Sequence, residues 1–445
     1  GFDIVLGNPP YVRMELLKII KPHLQARFAV ASDRADLYAY FFELGVNLLK
    51  PGGQLGFISS STFFRTGSGK PLRTFLAEKS RIETIVDFGD LQVFEGVTTY
   101  PAIVTLRKGS GTAADETLRY LTVRALPDDL GKVFDQEARS MPHDRLGSDT
   151  WRFESDLLDT IRAKIASGRP TLAEVYGAPL YGIKSGLNEA FVLTREERDA
   201  IIANARPGDR SADLLKPFLI GENLKRWHVE SDDLWLVYTP KNSIDIDDYP
   251  ALRSHLISYR ERLEARATKQ NWWELQQAQL RYQPHFDEPK LIWPHFQSRG
   301  SFSIEKSPFY LNNKCFFIDR PDEALAAYLN SRLAWFILTS IARIKQGGYI
   351  EAEAQYVGTL PIPFEGGDEA LAALGRAAAD DQAALVDLVA SVRHRLDDLG
   401  DTKGFGSAFA AWPSLTFAGL RAALLKRFKI TIPVTDRDEW ERWFE

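Results

Sequence analysis

Short apolar runs alternate with longer stretches of helical spacing over the first 125 residues. The runs predict strands at residues 4–6, 54–59, 82–87, 100–106 and 117–123, and the longer stretches predict helices at 37–49 and 68–79. Lys50-Pro51-Gly52-Gly53 predicts a helix stop and a turn. The last two strands are expected to pair as an antiparallel edge. Strand, helix and strand at this spacing indicate an α/β sheet.

The pattern changes near residue 170, where short β-like runs alternate with Gly and Asn turns. A charged helix at 248–268 and an amphipathic helix at 322–343 interrupt these runs, which indicates a mixed α+β domain. Helical spacing returns near the end of the chain, at 367–399 and 417–428. The sequence therefore predicts four parts, at residues 1–125, 126–170, 171–364 and 365–445.

Composition narrows the class of protein. A single cysteine, Cys315, excludes an internal disulfide framework and is typical of a protein in the reducing cytoplasm. No Cys/His group has zinc-ligand spacing, so we expect no metal. No signal-peptide pattern and no apolar run of membrane-spanning length occurs in the sequence.

Charge is unevenly distributed. The formal net charge of −5 argues weakly against DNA binding, but residues 365–400 alone hold eight acids and three bases. Residues 251–300 hold eight Lys/Arg and five Asp/Glu. Local positive charge is what a phosphate-contacting surface requires.

The tetrapeptide Asn8-Pro9-Pro10-Tyr11 follows the first predicted strand. The amino group of adenine is a poor nucleophile because its lone pair is delocalised into the ring. Two acceptors, the side-chain carbonyl of Asn8 and the main-chain carbonyl of Pro9, would localise that lone pair and stabilise developing charge. The prolines stiffen the loop, and Tyr11 offers a face for stacking. The tetrapeptide alone leaves open other planar amino substrates, such as guanine or a glutamine amide, and a merely structural loop.

The surrounding residues resemble the gamma-class, TaqI-like adenine-N6 DNA methyltransferases. Residues 1–12 resemble that family's catalytic strand and loop, and Val93-Phe94-Glu95-Gly96-Val97 with 102–106 resembles its hairpin. In the family, the residue at the position of Phe94 helps to hold a flipped adenine. The resemblance covers roughly residues 1–364 and also includes 34–43, 48–58, 181–194, 215–227, 290–304 and 346–363.

The resemblance implies the C-terminal half of a doubly wound methyltransferase sheet (1–125), a connector (126–170), an α+β target-recognition domain (171–364) and C-terminal helices (365–445). It implies methylation of adenine N6 in double-stranded DNA, in a restriction-modification or phage-defence system. The family's S-adenosylmethionine motifs precede Asn-Pro-Pro-Tyr and have no counterpart here. We therefore expect a fragment whose cofactor pocket lies largely in a missing N-terminal part, with a possible nuclease domain or subunit. The alternative is a non-catalytic DNA-binding specificity module.

The recognition segments contain polar and cationic residues suited to contacts with bases or phosphates. An ordinary strand, turn or solvated surface is a comparable explanation for each of them. The candidate DNA-binding residues are Lys184, Asn223, Lys225, Arg226, Gln297, Arg299 and Tyr349.

Overall fold

The computed structural model describes residues 1–12, 14–17, 19–32, 34–94, 100–109, 116–153, 156–364, 368–397 and 415–444. The chain divides into two compact units, residues 1–372 and residues 373–445. The predicted hairpin around Phe94 falls partly on residues 95–99, which lie outside the described residues.

A mixed sheet of six strands begins the chain. Its strands are β1 (Phe2–Gly7), β2 (Leu49–Ser60), β3 (Ser80–Asp87), β4 (Pro101–Lys108), β5 (Thr117–Thr122) and β6 (Arg139–Pro142). They are ordered β1-β2-β4-β3-β5-β6, with β1 parallel to β2 and β3 parallel to β5. The expected α/β fold is confirmed, and β6 carries the sheet into the segment that was predicted as a connector.

The predicted antiparallel edge between residues 100–106 and 117–123 is wrong. β4 lies between β2 and β3 and is antiparallel to both, whereas β5 pairs in parallel with β3. The side chains of Ala102, Val104 and Leu106 are fully buried. A strand of this composition is stabilised most at the centre of a sheet that is covered by other elements.

The predicted turn at Lys50-Pro51-Gly52-Gly53 is an irregularity inside β2. The register with β1 shifts there, because Phe2 lies opposite Leu49 but Ile4 lies opposite Gln54. Gly52 has a φ of +76°, which only glycine adopts without strain.

Helices cover the sheet unequally. The helices of this part are α1 (Lys21–Arg27), α2 (Leu37–Leu48), α3 (Lys70–Lys79) and α4 (Leu130–Glu137). α2 packs closely on β2, since a Cβ at Gly45 would lie 2.6 Å from the Leu55 side chain. Residues of α4 pack against a cluster formed by β3 and β5. On β1, by contrast, Phe2, Ile4 and Leu6 are exposed.

Three small sheets build residues 171–364, the predicted recognition region, as expected for an α+β domain. The strands are β7 (Leu180–Tyr181), β8 (Val192–Leu193), β9 (Leu215–Leu219), β10 (Leu234–Val237), β11 (Lys290–Pro294), β12 (Phe296–Gln297), β13 (Ser303–Glu305), β14 (Tyr310–Leu311), β15 (Cys315–Ile318), β16 (Arg343–Ile344) and β17 (Ile350–Glu351). They are ordered β14-β9-β10-β8, β13-β11-β15-β7 and β12-β17-β16.

The amphipathic segment predicted as one helix at 322–343 is two helices. Asp322 accepts a hydrogen bond from the Leu325 N–H and caps the first helix, and Ser331 accepts one from the Ala334 N–H and caps the second. Ser331 begins a new helix because its side chain accepts the Ala334 N–H, which in a continuous helix would donate to a main-chain carbonyl of the preceding turn. The helices of this region are α5 (Asp156–Ala166), α6 (Leu172–Tyr176), α7 (Asn188–Phe191), α8 (Arg195–Ala203), α9 (Pro250–Leu256), α10 (Arg260–Glu264), α11 (Glu323–Leu329), α12 (Arg332–Ile341) and α13 (Ala354–Val357).

Helices also form the C-terminal part of the chain, as predicted. They are α14 (Glu369–Asp397), α15 (Phe417–Phe428) and α16 (Arg437–Phe444). A small core joins them through Leu396, Leu420, Leu424 and Trp440. Among the described residues no single helix has the length and apolarity to cross a membrane, and α11 and α12 meet those criteria only jointly, with a 61° bend.

Candidate functional site

Asn8 lies directly after the carboxyl end of β1, which is where ligands bind in open α/β sheets. Its side chain is exposed, as is Pro10, whereas Pro9 is buried. Val12, which follows the tetrapeptide, is held to α2, because its main-chain carbonyl accepts a hydrogen bond from the Leu37 N–H at 3.0 Å. The motif is therefore held at both ends and presents the Asn8 amide outward.

Tyr11 and Phe94 lie against each other although 83 positions separate them in the sequence. Their ring centroids are 6.1 Å apart and the planes meet at 60°, an edge-on arrangement. Both rings are half-buried. The Tyr11 hydroxyl is buried without a hydrogen-bond partner in the described part of the chain, and burial raises its pKa. The structure thus brings together the two aromatic residues that the sequence assigned to base binding.

The segment that leads to Phe94 starts from a buried carboxylate at the end of β3. Asp87 Oδ1 accepts a hydrogen bond from the Gly89 N–H at 3.0 Å. Burial raises the pKa of Asp87, while the Gly89 N–H, Arg65 and Ser61 lower it. Gly89 has a φ of +56°, a left-handed conformation that glycine adopts without strain.

A loop of the recognition region reaches the same segment. The Gly347 N–H donates a hydrogen bond to Asp90 Oδ2 at 3.2 Å. Tyr349, one of the predicted DNA-binding residues, lies two positions further on and is exposed. Local sequence patterns do not predict the contact at Asp90, because 257 positions separate its partners.

Two predicted DNA-binding residues are placed wrongly for that role. Asn223 is 1% exposed, accepts from the Ile220 N–H, and donates to the Glu230 carbonyl and Asp232. Gln297 is 2% exposed, donates to the Pro294 carbonyl and accepts from the Ser301 N–H. Their amides stabilise turns instead of contacting DNA, because these hydrogen bonds already use them.

The other predicted residues remain accessible. Arg226 is partly buried and donates to the Asn330 carbonyl at 3.0 Å. Burial lowers the pKa of Arg226, and the charge of Arg299 lowers it further. Lys184 and Arg299 are exposed, and Lys225 lies 3.7 Å from Glu230.

A cluster that sequence reasoning missed lies at the base of the β16–β17 hairpin. His295, Glu351 and Glu353 place ligand-type atoms within 4.8 Å of one another. Three cations already approach the cluster, with Lys345 at 3.1 Å and Arg343 at 3.7 Å from Glu351, and Lys314 at 3.5 Å from His295. His295, whose Nε2 lies 3.5 Å from Glu353 Oε1, lowers the pKa of Glu353 to about 2. The cluster therefore fits a buried charge network better than a metal site.

Two parts of the chain are similar to known protein families. Residues 1–94 match the family described as Eco57I restriction-modification methylase, and residues 216–362 match the TaqI-like C-terminal specificity domain. The solved structure of the Type IIL restriction-modification enzyme MmeI in complex with DNA shares the fold. Its TM-score is 0.58 at 14% identity, over 84% of this chain and 48% of that one.

Curated relatives agree with the family matches. The chain is 26% identical to the Type II methyltransferase M.PaeR7I of Pseudomonas aeruginosa and 27% identical to M.XhoI of Xanthomonas vasicola. These alignments cover 81% of this chain but 64% and 68% of the two relatives. Residues 1–94 are thus similar to restriction-modification methylases, and residues 216–362 are similar to a TaqI-like specificity domain. The predicted resemblance to TaqI-like restriction-modification methyltransferases with a recognition domain is confirmed.

Proposed function

We propose that the chain takes part in site-specific methylation of adenine N6 in duplex DNA, within a restriction-modification or phage-defence system. The observation that carries the proposal is the exposed Asn8 amide beside the Tyr11–Phe94 pair at the carboxyl end of β1. The family match over residues 1–94, which contains the site, supports it, and so do the match over residues 216–362 and the local excess of basic residues at 251–300.

The geometry suits a base that has left the duplex. A target adenine flipped out of the helix would be held by Tyr11 and Phe94, whose edge-on rings offer an aromatic surface. The Asn8 side-chain carbonyl and the Pro9 main-chain carbonyl would then accept hydrogen bonds from the amino group. These acceptors favour a tetrahedral nitrogen and stabilise the positive charge that develops on it. When bound, S-adenosylmethionine supplies an electrophilic methyl group.

The described residues fit the face of the pocket that meets the base. The side of the pocket that would bind S-adenosylmethionine is less complete, because β1 pairs only with β2 among the described strands. The apolar side chains of Phe2, Ile4 and Leu6 are exposed at 59%, 60% and 78%. Apolar surface of this kind is typical of a covered interface. We propose that a segment outside these 445 residues covers this surface and supplies most of the cofactor pocket.

The proposed catalytic and target-recognition parts have the boundaries predicted from the sequence, with one adjustment. We propose that residues 1–142 are the catalytic part, since β6 belongs to the same sheet, and that residues 171–364 are the target-recognition domain. Lys184, Lys225, Arg226, Arg299 and Tyr349 remain proposed DNA contacts. We propose no DNA-contacting role for residues 365–445, because their acidic composition disfavours contact with phosphates.

The test is to replace Asn8 by Ala in the protein as its gene encodes it. Unmethylated duplex DNA of mixed sequence is incubated with S-adenosylmethionine, and the methylated nucleosides are identified by mass spectrometry. We expect the wild type to produce N6-methyladenine and Asn8→Ala to lose at least about 100-fold in rate while retaining DNA affinity. Asn47→Ala, which changes an exposed asparagine on α2, is the matched control.

Other outcomes decide between the alternatives. Formation of N4-methylcytosine instead of N6-methyladenine would contradict the proposed substrate. DNA binding by the wild type without any methylated nucleoside would favour the non-catalytic specificity module.

A further inference from the structure

The β16–β17 hairpin is a compact element with an unusual turn. The Lys345 N–H donates to the Tyr349 carbonyl at 2.6 Å and closes the turn. Gly347 and Gly348 both have positive φ, at +80° and +75°. Two successive residues in this conformation strongly favour glycine, and they aim the Gly347 N–H away from the hairpin. The turn therefore presents a main-chain donor at a defined position.

The hairpin is held firmly to the recognition region. β17 pairs with β12, and the Ala352 N–H donates to the His295 carbonyl at 2.7 Å. Trp293, which is fully buried, donates through Nε1 to the Ala352 carbonyl at 2.9 Å. Glu351 adds ion pairs from its buried position. A displacement of the recognition region is consequently expected to move the hairpin with it.

The far end of the hairpin meets the segment that carries Phe94. Within the described part of the chain, the Asp90 carboxylate accepts a single hydrogen bond, from the Gly347 N–H at 3.2 Å. Between Phe88 and Val93 the chain makes two short turns, with the Leu91 N–H donating to the Phe88 carbonyl and the Val93 N–H donating to the Leu91 carbonyl. These turns make the segment compact, so a shift at Asp90 is passed on to Phe94.

We propose that Asp90 is a positioning residue that couples docking of the recognition region to the placement of Phe94 against Tyr11. This inference rests on the proposed function and adds a link between target recognition and catalysis. A carboxylate that accepts one main-chain N–H from the hairpin fixes the segment only while the hairpin is in place. Asp90 should therefore act on the rate of methylation after DNA has bound, rather than on affinity for DNA.

The experiment compares Asp90→Ala with Asp90→Asn in the protein as its gene encodes it. Tritium transfer from S-adenosylmethionine to unmethylated DNA of mixed sequence gives kcat and the KM for DNA. Asp90→Ala removes the acceptor, and we expect kcat to fall about 10-fold with KM changed less than about twofold. Asp90→Asn keeps an oxygen acceptor at the same place and should restore kcat to within about threefold of the wild type.

Asp128→Ala is the matched control, because Asp128 is an exposed aspartate in a loop of the same sheet. Its kcat should equal that of the wild type. Hydrogen exchange of residues 88–94 provides a second measurement without DNA, and it should be faster in Asp90→Ala alone.

Three results would overturn the inference. These are an unchanged kcat in Asp90→Ala, a loss expressed only in KM, and an Asp90→Asn variant as slow as Asp90→Ala. Each leaves the proposed function standing, because the wild type still methylates adenine. Absence of methylation by the wild type would reject the proposed function and this inference with it.

Discussion

Lys290 on β11 is a lysine without any exposed surface, and it makes the recognition region sensitive to pH. Its ammonium group donates to the main-chain carbonyls of Phe286, Glu288 and Ser307 at 2.9, 2.8 and 3.3 Å. Burial lowers the pKa of Lys290 from 10.5 to about 8, although nearby acidic residues partly oppose the change. Replacing Lys290 by Met tests whether this description is correct.

The expected change in the free energy of unfolding follows from the linkage between folding and protonation of Lys290. Between about pH 8 and pH 10.5 the unfolded chain holds a proton that the folded chain has released, so the free energy of unfolding rises with pH in that window. The full difference corresponds to about 3 kcal/mol, of which about 2 kcal/mol is recovered between pH 7 and pH 9.5. At pH 7 the relief of this cost in Lys290→Met is offset by the loss of three hydrogen bonds to main-chain carbonyls, at about 1 kcal/mol each.

We therefore expect the wild type and Lys290→Met to have similar stability at pH 7. At pH 9.5 the wild type should be more stable than the variant by about 2 kcal/mol. Urea unfolding followed by tryptophan fluorescence measures the difference, since the buried Trp293 lies on the same strand. Groups that titrate in both proteins cancel in this difference. Lys306→Met, at an exposed lysine after β13, measures the effect of losing any lysine. A difference that stays constant from pH 7 to pH 9.5 would refute the reasoning.

Two further predictions concern the recognition region. Arg299→Gln should weaken binding to duplex DNA and reduce the slope of log K against log salt by about 1, which titrations at several salt concentrations would show; an unchanged slope would exclude a phosphate contact. Asn223→Ala should destabilise the chain by about 1–3 kcal/mol, because it removes hydrogen bonds from a buried turn, with little change in DNA affinity at a temperature where the variant is folded. A loss of affinity without a loss of stability would reverse our assignment of this residue.

Some residues of the candidate site can be predicted from local sequence, and others cannot. Asn8, Pro9 and Tyr11 are contiguous, so their chemistry and their place after a strand follow from local sequence alone. Phe94 was placed beside Tyr11 through the family resemblance, and its contact with Tyr11 is seen only in the fold. The position of Asp90 was not predicted, because a main-chain N–H donor has no sequence pattern of its own.

Asn223 and Gln297 show a different limit. Each lies in a polar segment suited to DNA contact, and composition alone does not distinguish that role from a structural one. Their amides are nevertheless buried, because turns of the recognition region need side-chain donors and acceptors where the main chain lacks partners.

The sequence by itself determined the periodicity of strands and helices, the position of the Asn-Pro-Pro-Tyr tetrapeptide and the family resemblance, because each depends on neighbouring residues. Only the tertiary structure decided that β4 lies at the centre of the sheet, that Gly347 contacts Asp90, and that Lys290 is buried among carbonyls. These features join parts of the chain that are far apart in sequence. Their free energies come from burial and hydrogen bonding between those parts, which no local pattern records.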